Sequence, residues 1–307
     1  MIYHVPVLVE ESKRLLITRK EGIYFDGTIG YGGHSEKFLE ILSKKSKLIG
    51  TDKDYNAFKF CEEKFKNDKR VTVYHTSFID IDKISKIEFI EKYDGIFADL
   101  GVSSFQLDNP EAGFTFREEA NLDLRMNKNQ GVPASEIINL FSENDLAKIF
   151  FDYGEEKNSK KIAREIVKAR KLKAIKTTAE LRFIIERITN RRYLTKTLSR
   201  IFQALRIFVN NELEELKIFL EKSIDLLAIG GRMVVLSYHS LEDRIVKEKF
   251  KLEASDCICP PGTPICVCGK KKRVKILTPK PIVALKSEIE INKRARSVKL
   301  RAIEKIA

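Results

Sequence analysis

At 307 residues, 43% of them hydrophobic, the chain can bury a sizeable core and is long enough for one large domain or two smaller ones. No apolar run reaches the roughly 18 residues of a membrane span, and Met1–Glu10 lacks the features of a secretory signal, so a cytosolic location without membrane anchorage is expected. Of five cysteines, Cys61 stands far from the other four, which excludes a secreted disulfide scaffold. The formal charge is +13, and residues 157–206 alone hold sixteen Lys and Arg against three acids, so the remainder sums to zero. A second excess, twelve basic against two acidic residues, lies within 270–301. Two basic segments on a remainder that is net acidic suit a polyanion such as nucleic acid, whose counterions are released on binding. Solvated faces of Lys-rich helices are the alternative for the charge alone.

From Gly22 to Gly101, short β-prone runs alternate with helical patterns, which predicts successive βα units and a parallel sheet. The strands fall at Gly22–Asp26, Lys47–Asp52, Val71–His75 and Gly95–Leu100. Phe38, Leu39 and Leu42, and likewise Phe58, Cys61 and Phe65, recur at helical spacing and would cover the sheet. Residues 101–131 then hold Gly, Pro and Asn clusters typical of loops, and Val132–Phe208 reads as several helices with no strand between them. Ser142 with Asp145 resembles a helix cap, and Thr178-Ala-Glu-Leu opens another amphipathic run. After a helix over Glu212–Leu227 and its Gly230-Gly231 stop, a β pattern returns at Arg232–Ser237. A final strand, expected to be antiparallel, falls at Val298–Glu304.

The first strand ends in Phe25-Asp-Gly-Thr-Ile-Gly-Tyr-Gly-Gly-His34, with a helix starting near Ser35. Glycines at 27, 30, 32 and 33 let the backbone turn sharply and approach a ligand at the carboxyl edge of the sheet. Asp52 ends strand two, at the distance where an acid accepts hydrogen bonds from ribose hydroxyls, although a lone Asp there is more commonly a helix cap. Strand three leads to Phe78, whose ring could stack on a purine or serve as core. Strand four ends in Asp99-Leu-Gly-Val-Ser-Ser-Phe-Gln106. Four strand ends therefore point at one crevice.

Four motifs in order, Phe25 to Ser35, Asp99-Leu-Gly-Val-Ser-Ser104, Ser237-Tyr-His-Ser-Leu-Glu-Asp-Arg244 and Asn292-Lys-Arg-Ala-Arg-Ser297, resemble the bacterial small-subunit ribosomal RNA cytosine N4-methyltransferase family. The opening Tyr3-His-Val-Pro-Val-Leu8 is similar to that family's start. The resemblance runs nearly end to end. It implies an α/β fold, a Rossmann-like class I S-adenosylmethionine-dependent methyltransferase sheet with an inserted all-helical domain. The expected boundaries are 1–110 for the first part of the methyltransferase domain, 111–210 for an RNA-recognition insertion, and 211–307 for the second part. It implies S-adenosylmethionine as cofactor, bound by Gly32, Gly33, His34, Asp52, Phe78, Asp99 and Gln106. The substrate it implies is a cytosine in the decoding region, on naked small-subunit RNA or the assembled subunit, with a monomer or homodimer as the acting species. The Asp/Asn-Pro-Pro-Tyr signature of many exocyclic-amine methyltransferases is absent, and Asp99-Leu-Gly-Val takes its place, so Asp99 is the catalytic candidate.

His239 and Ser237 could help to hold the base, or could simply pack. Cys257-Ile-Cys259 and Cys266-Val-Cys268 supply four thiols, but zinc knuckles ordinarily use Cys-x₂-Cys. A Pro- and Gly-rich loop with reduced cysteines and no metal is the expectation. Two other classes share parts of this pattern. An NAD-dependent oxidoreductase would have the sheet, glycine loop and Asp52, and a non-catalytic ribosome-assembly protein would have the charge without needing Asp99.

Overall fold

The structure is a computed structural model that describes residues 6–102, 113–260, 263 and 265–307. The chain divides into two compact units, Met1–Gly101 with Leu213–Ala307, and Val102–Glu212. The first unit is built on seven strands: β1 (Ile23–Asp26), β2 (Lys47–Asp52), β3 (Val71–His75), β4 (Tyr93–Asp99), β5 (Leu227–Ser237), β6 (Val274–Ile276) and β7 (Lys299–Lys305). Their order in the sheet is β3-β2-β1-β4-β5-β7-β6. Strands β1 to β5 run parallel to one another, and β7 runs antiparallel to both β5 and β6. Chain order reverses between β1 and β4, which puts the switch point, and a crevice beyond the carboxyl ends, at Asp26 and Asp99.

Both faces of the sheet are covered because its strands are apolar on both sides, as parallel sheets require. Along β4, Ile96 and Ala98 join a core with Phe219, Leu220, Val246 and Phe250, while Phe97 faces Phe38, Leu39, Cys61 and Phe65 on the other side. The helices Gly33–Leu39 and Tyr55–Phe65 thus sit on one face, as their spacing predicts, and Glu212–Leu226 and Ser240–Glu253 on the other. Phe58 departs from the pattern: it is half-buried and stacks on His75, with ring centroids 5.5 Å apart.

Two features of β5 and β6 differ from the sequence pattern. The helix before β5 ends at Leu226, and the strand starts at Leu227, not Arg232. Leu227 pairs with Tyr93 but Arg232 with Gly95, so residues 228–231 bulge out of the ladder. The two glycines serve this bulge: Gly230 is left-handed at φ 78°, and a Cβ on Gly231 would lie 2.9 Å from the Tyr93 carbonyl. β6 is three residues long and has no counterpart in the sequence reading.

The second unit has its own core, where Leu146, Phe150, Ile162, Ile166, Leu181, Ile185, Ile201 and Leu205 from successive helices meet. Among the described residues its helices are Ala134–Leu140, Glu143–Asp152, Ser159–Arg170, Thr178–Ile188 and Leu194–Asn210. Ser142 caps the second of these through the Asp145 amide, and Thr177 with Glu180 forms a full capping box on the fourth.

Candidate active site

The loop after β1 is held from three sides. The Gly27 amide donates to Phe97 O at 2.9 Å, the Ile29 amide to Thr51 O at 3.0 Å, and Thr51 Oγ1 to Gly27 O at 2.9 Å. Asp26, fully enclosed at the end of β1, accepts from Ser35 Oγ at 2.5 Å and from the Thr28 amide at 3.1 Å, tying the loop to its helix. Burial pushes its carboxyl up to about 6. At Gly32, φ is 75° and a Cβ would lie 2.7 Å from the Phe65 ring, so no other residue fits without displacing that ring. Beneath the loop, the buried Cys61 thiol donates to Gly30 O at 3.1 Å, and burial raises its pKa to about 12. This support is not visible in the sequence, where Cys61 reads only as a core position.

Asp52 ends β2 as expected and faces the same loop. Oδ2 accepts the Gly30 amide at 2.9 Å and Oδ1 the Asp54 amide at 2.8 Å. Desolvation raises its carboxyl to about 6 despite these bonds. Phe78 is half-buried at the start of a short turn after β3. Its ring tilts onto Phe219 at 4.7 Å, and its Cβ lies where a side chain on Gly27 would be. Phe78 thus sits directly beside the glycine loop.

Asp99 ends β4, and its amide donates to Thr28 Oγ1 at 2.6 Å. Tyr238, just past β5, donates its hydroxyl to Asp99 Oδ1 at 2.8 Å. Burial, then the Asp99 charge, raises the Tyr238 pKa well above its ordinary value, so the phenol stays a donor. Sequence reasoning passed over this residue in favour of its neighbours. Ser237 is buried with its hydroxyl toward Lys299 O at 3.4 Å, and His239 Nδ1 caps the helix Ser240–Glu253 through the Glu242 amide.

His34 is buried with its ring against Phe97 at 4.7 Å. Burial lowers its pKa, and Nε2 donates to Val7 O at 2.9 Å, leaving Nδ1 at 3.5 Å from Asp99 Oδ2. The imidazole is packed inward with Nδ1 toward Asp99, and its backbone lies in the first turn of Gly33–Leu39. Gly32, Gly33, His34, Asp52, Phe78 and Asp99 come together around the carboxyl ends of β1, β2 and β4. Gln106 lies outside the described residues.

A sheet of this order, with β7 reversed and a glycine loop at the carboxyl end of β1, defines a Rossmann-like class I S-adenosylmethionine-dependent methyltransferase. The model of the MraW methylase family matches residues 1–306, and the chain belongs to that family. It is 50% identical over 307 residues to the ribosomal RNA small subunit methyltransferase H of Caldicellulosiruptor saccharolyticus, with 100% of both chains covered. The protein of the same description from Fusobacterium nucleatum is 44% identical, covering 99% of this chain and 97% of its own. That from Clostridium botulinum strain Loch Maree is 46% identical, with 99% of each covered.

The donor set fits the cofactor, S-adenosylmethionine. Each oxygen of Asp52 accepts one amide, and a carboxylate oxygen has two lone pairs, so both retain capacity for the vicinal hydroxyls of a ribose. An acid left desolvated at a strand end is stabilised by such donors. No helix is long and apolar enough to cross a membrane, among the described residues.

Proposed function

We propose that this chain methylates the N4 amino group of a cytosine in the decoding region of small-subunit ribosomal RNA. The full-length 50% identity to a protein described as a ribosomal RNA small subunit methyltransferase supports methylation of that RNA, and the cytosine amine as target rests on the motif resemblance. The amine of cytosine is a weak nucleophile because its lone pair is delocalised into the ring, and the cofactor supplies a strongly activated methyl group. The chain's own residues then have to orient the amine and offer it a hydrogen-bond acceptor, and orientation alone can contribute several kcal/mol. Asp99, fixed at the sheet's mouth by Tyr238, is suited to accept a proton-bearing edge of the amine or to orient the cofactor. A strong general base is unnecessary if the proton leaves after methyl transfer.

Residues 102–212 are proposed to bind the RNA. Several of their bases are spoken for, Lys168 by Glu165, Lys173 by Glu180 and Arg182 by Glu186. Arg191, Arg192 and Lys196 are exposed and form no ion pair among the described residues. Exposed Phe183 and Tyr193 carry Arg187 and Arg192 over their rings at 5.9 and 5.6 Å. Cations to neutralise phosphates, beside rings on which unstacked bases can lie, suit a single-stranded or locally opened RNA.

The test is methyl transfer from labelled S-adenosylmethionine to purified small-subunit RNA and to assembled subunits, followed by digestion to nucleosides. Label in N4-methylcytidine is expected. Label on a ring carbon, a ribose hydroxyl or a different base would reject the reading.

A further inference from the structure

The segment joining the helix Ser240–Glu253 to β6 has no helix or strand among its described residues. Its ends are clamped, the Arg273 amide donating to Glu253 O at 2.8 Å and the Lys272 amide to Asp256 Oδ1 at 3.2 Å. Between them, the described residues form no hydrophobic core. Ile258, Ile265 and Val267 point outward, at 56%, 76% and 84% exposure. Long structureless segments in compact proteins ordinarily carry a function or an internal cross-link.

The four cysteines point the other way. Cys257, Cys259, Cys266 and Cys268 bring their sulfurs within 4.8 Å of one another. The Sγ–Sγ separations are 3.4 Å for Cys257–Cys266, 3.5 Å for Cys266–Cys268, 3.8 Å for Cys257–Cys268 and 3.9 Å for Cys259–Cys266. A disulfide would put two sulfurs about 2.05 Å apart. Four thiolates at about 2.3 Å from a tetrahedral zinc ion lie about 3.8 Å from each other; four of the six pairs here stand at 3.4–3.9 Å and all six within 4.8 Å, close enough to converge on one ion. Each Cys-x-Cys pair turns two sulfurs inward and the intervening aliphatic outward, so the unusual spacing still delivers a closed set of four ligands. The Ile258 amide approaches Cys268 Sγ at 3.4 Å and the Cys259 amide approaches Cys257 Sγ at 3.3 Å. Such donors stabilise coordinated thiolates. Gly269, left-handed at φ 62°, turns the chain out of the second pair into three consecutive lysines, whose charge opposes the net negative charge of a four-thiolate zinc centre.

The geometry points to a structural site for a thiophilic divalent cation, zinc in a cell, held by Cys257, Cys259, Cys266 and Cys268 and serving as the core of this segment. This departs from the reading of the same residues as a metal-free loop. The site is coordinatively closed by protein, so its role is to fix the segment, and binding releases the thiol protons to solvent.

The full-length untagged chain, purified under reducing conditions without chelator, is analysed for metal by mass spectrometry. About one zinc per chain is expected. Cys257→Ser with Cys266→Ser should abolish it, and Cys61→Ser should not. Replacement by cobalt should give the thiolate charge-transfer and tetrahedral ligand-field absorption of a four-sulfur site. Since the double variant could misfold, the wild type is also stripped with chelator. Thiol-reagent accessibility and protease cleavage within 254–273 should both rise on stripping and fall again on adding zinc alone, with the far-ultraviolet circular dichroism of the sheet unchanged. A wild-type chain that stays metal-free after incubation with zinc, or that holds two disulfides among these four residues, would overturn the proposal.

Discussion

Asp52 offers a graded test of the cofactor site, because its affinity and its protonation are linked. Its carboxyl is raised from 3.8 to about 6, with desolvation as the leading cause, so about nine-tenths is ionised at pH 7 and about one-tenth at pH 5. If only the ionised form accepts from both ribose hydroxyls, S-adenosylmethionine affinity falls about tenfold between those pH values. Because the folded-state pKa is raised, this residue's contribution to stability is fully present below about 4 and is lost as pH rises through about 6. A ligand that satisfies the carboxylate offsets that loss, so the thermal shift given by cofactor should be larger at pH 8 than at pH 5. Removing two charge-assisted hydrogen bonds by Asp52→Ala should cost about 3 kcal/mol or more, a factor on the order of 10² in affinity. Asp52→Asn, which keeps one acceptor, should lose less and should flatten the pH profile. Titration calorimetry from pH 5 to 8 reads all three. Asp26 titrates near the same pH, but it is enclosed by Ser35 and Thr28 and touches no ligand in this account. A pH slope that persists in Asp52→Asn would assign the titration to Asp26 and refute the reasoning, as would wild-type affinity independent of pH.

Asp99→Asn should slow single-turnover methyl transfer at saturating cofactor and RNA by a factor on the order of 10²–10³; full activity restored at saturation would make Asp99 a cofactor-binding residue only. Tyr238→Phe removes the hydroxyl that orients Asp99 and should lower the same rate by about 10-fold or more, the worth of one hydrogen bond to a charged group, while leaving cofactor affinity within about threefold. An unchanged rate would show that Asp99 is held without it. Converting Arg191, Arg192 and Lys196 to Gln should reduce the log–log salt slope of RNA binding by about 2, from three phosphate contacts at ~0.7 each, and spare cofactor binding. Gly32→Ala, at φ 75° with the Phe65 ring 2.7 Å from its Cβ, should lower stability by about 1–3 kcal/mol, measured as the denaturant midpoint.

The parallel half of the sheet was legible because β1 to β4 are apolar runs separated by helix-period segments, and a period change survives in a single sequence. β6 was not: Val274-Lys-Ile276 is three residues with a lysine at its centre, and it is a strand only because β7 lies beside it. The start of β5 was misread because Gly230-Gly231, a plausible helix stop, is in fact the bulge that lets Leu227 pair back to Tyr93. At the candidate site, the glycine loop, Asp52, Phe78 and Asp99 were legible because each closes or follows a strand. Tyr238 did not, since its function depends on a carboxylate 139 residues away, and the imidazole next to it drew attention while serving as a helix cap. The cysteines were legible as four thiols, but their convergence follows from which way each Cys-x-Cys pair turns.

The most direct measurement is mass spectrometry of nucleosides from small-subunit RNA in cells with the gene, without it, and with only the Asp99→Asn form. N4-methylcytidine should be present at one decoding-region position in the first, absent in the second and strongly reduced in the third. An unaltered modification profile in cells lacking the gene would contradict the account.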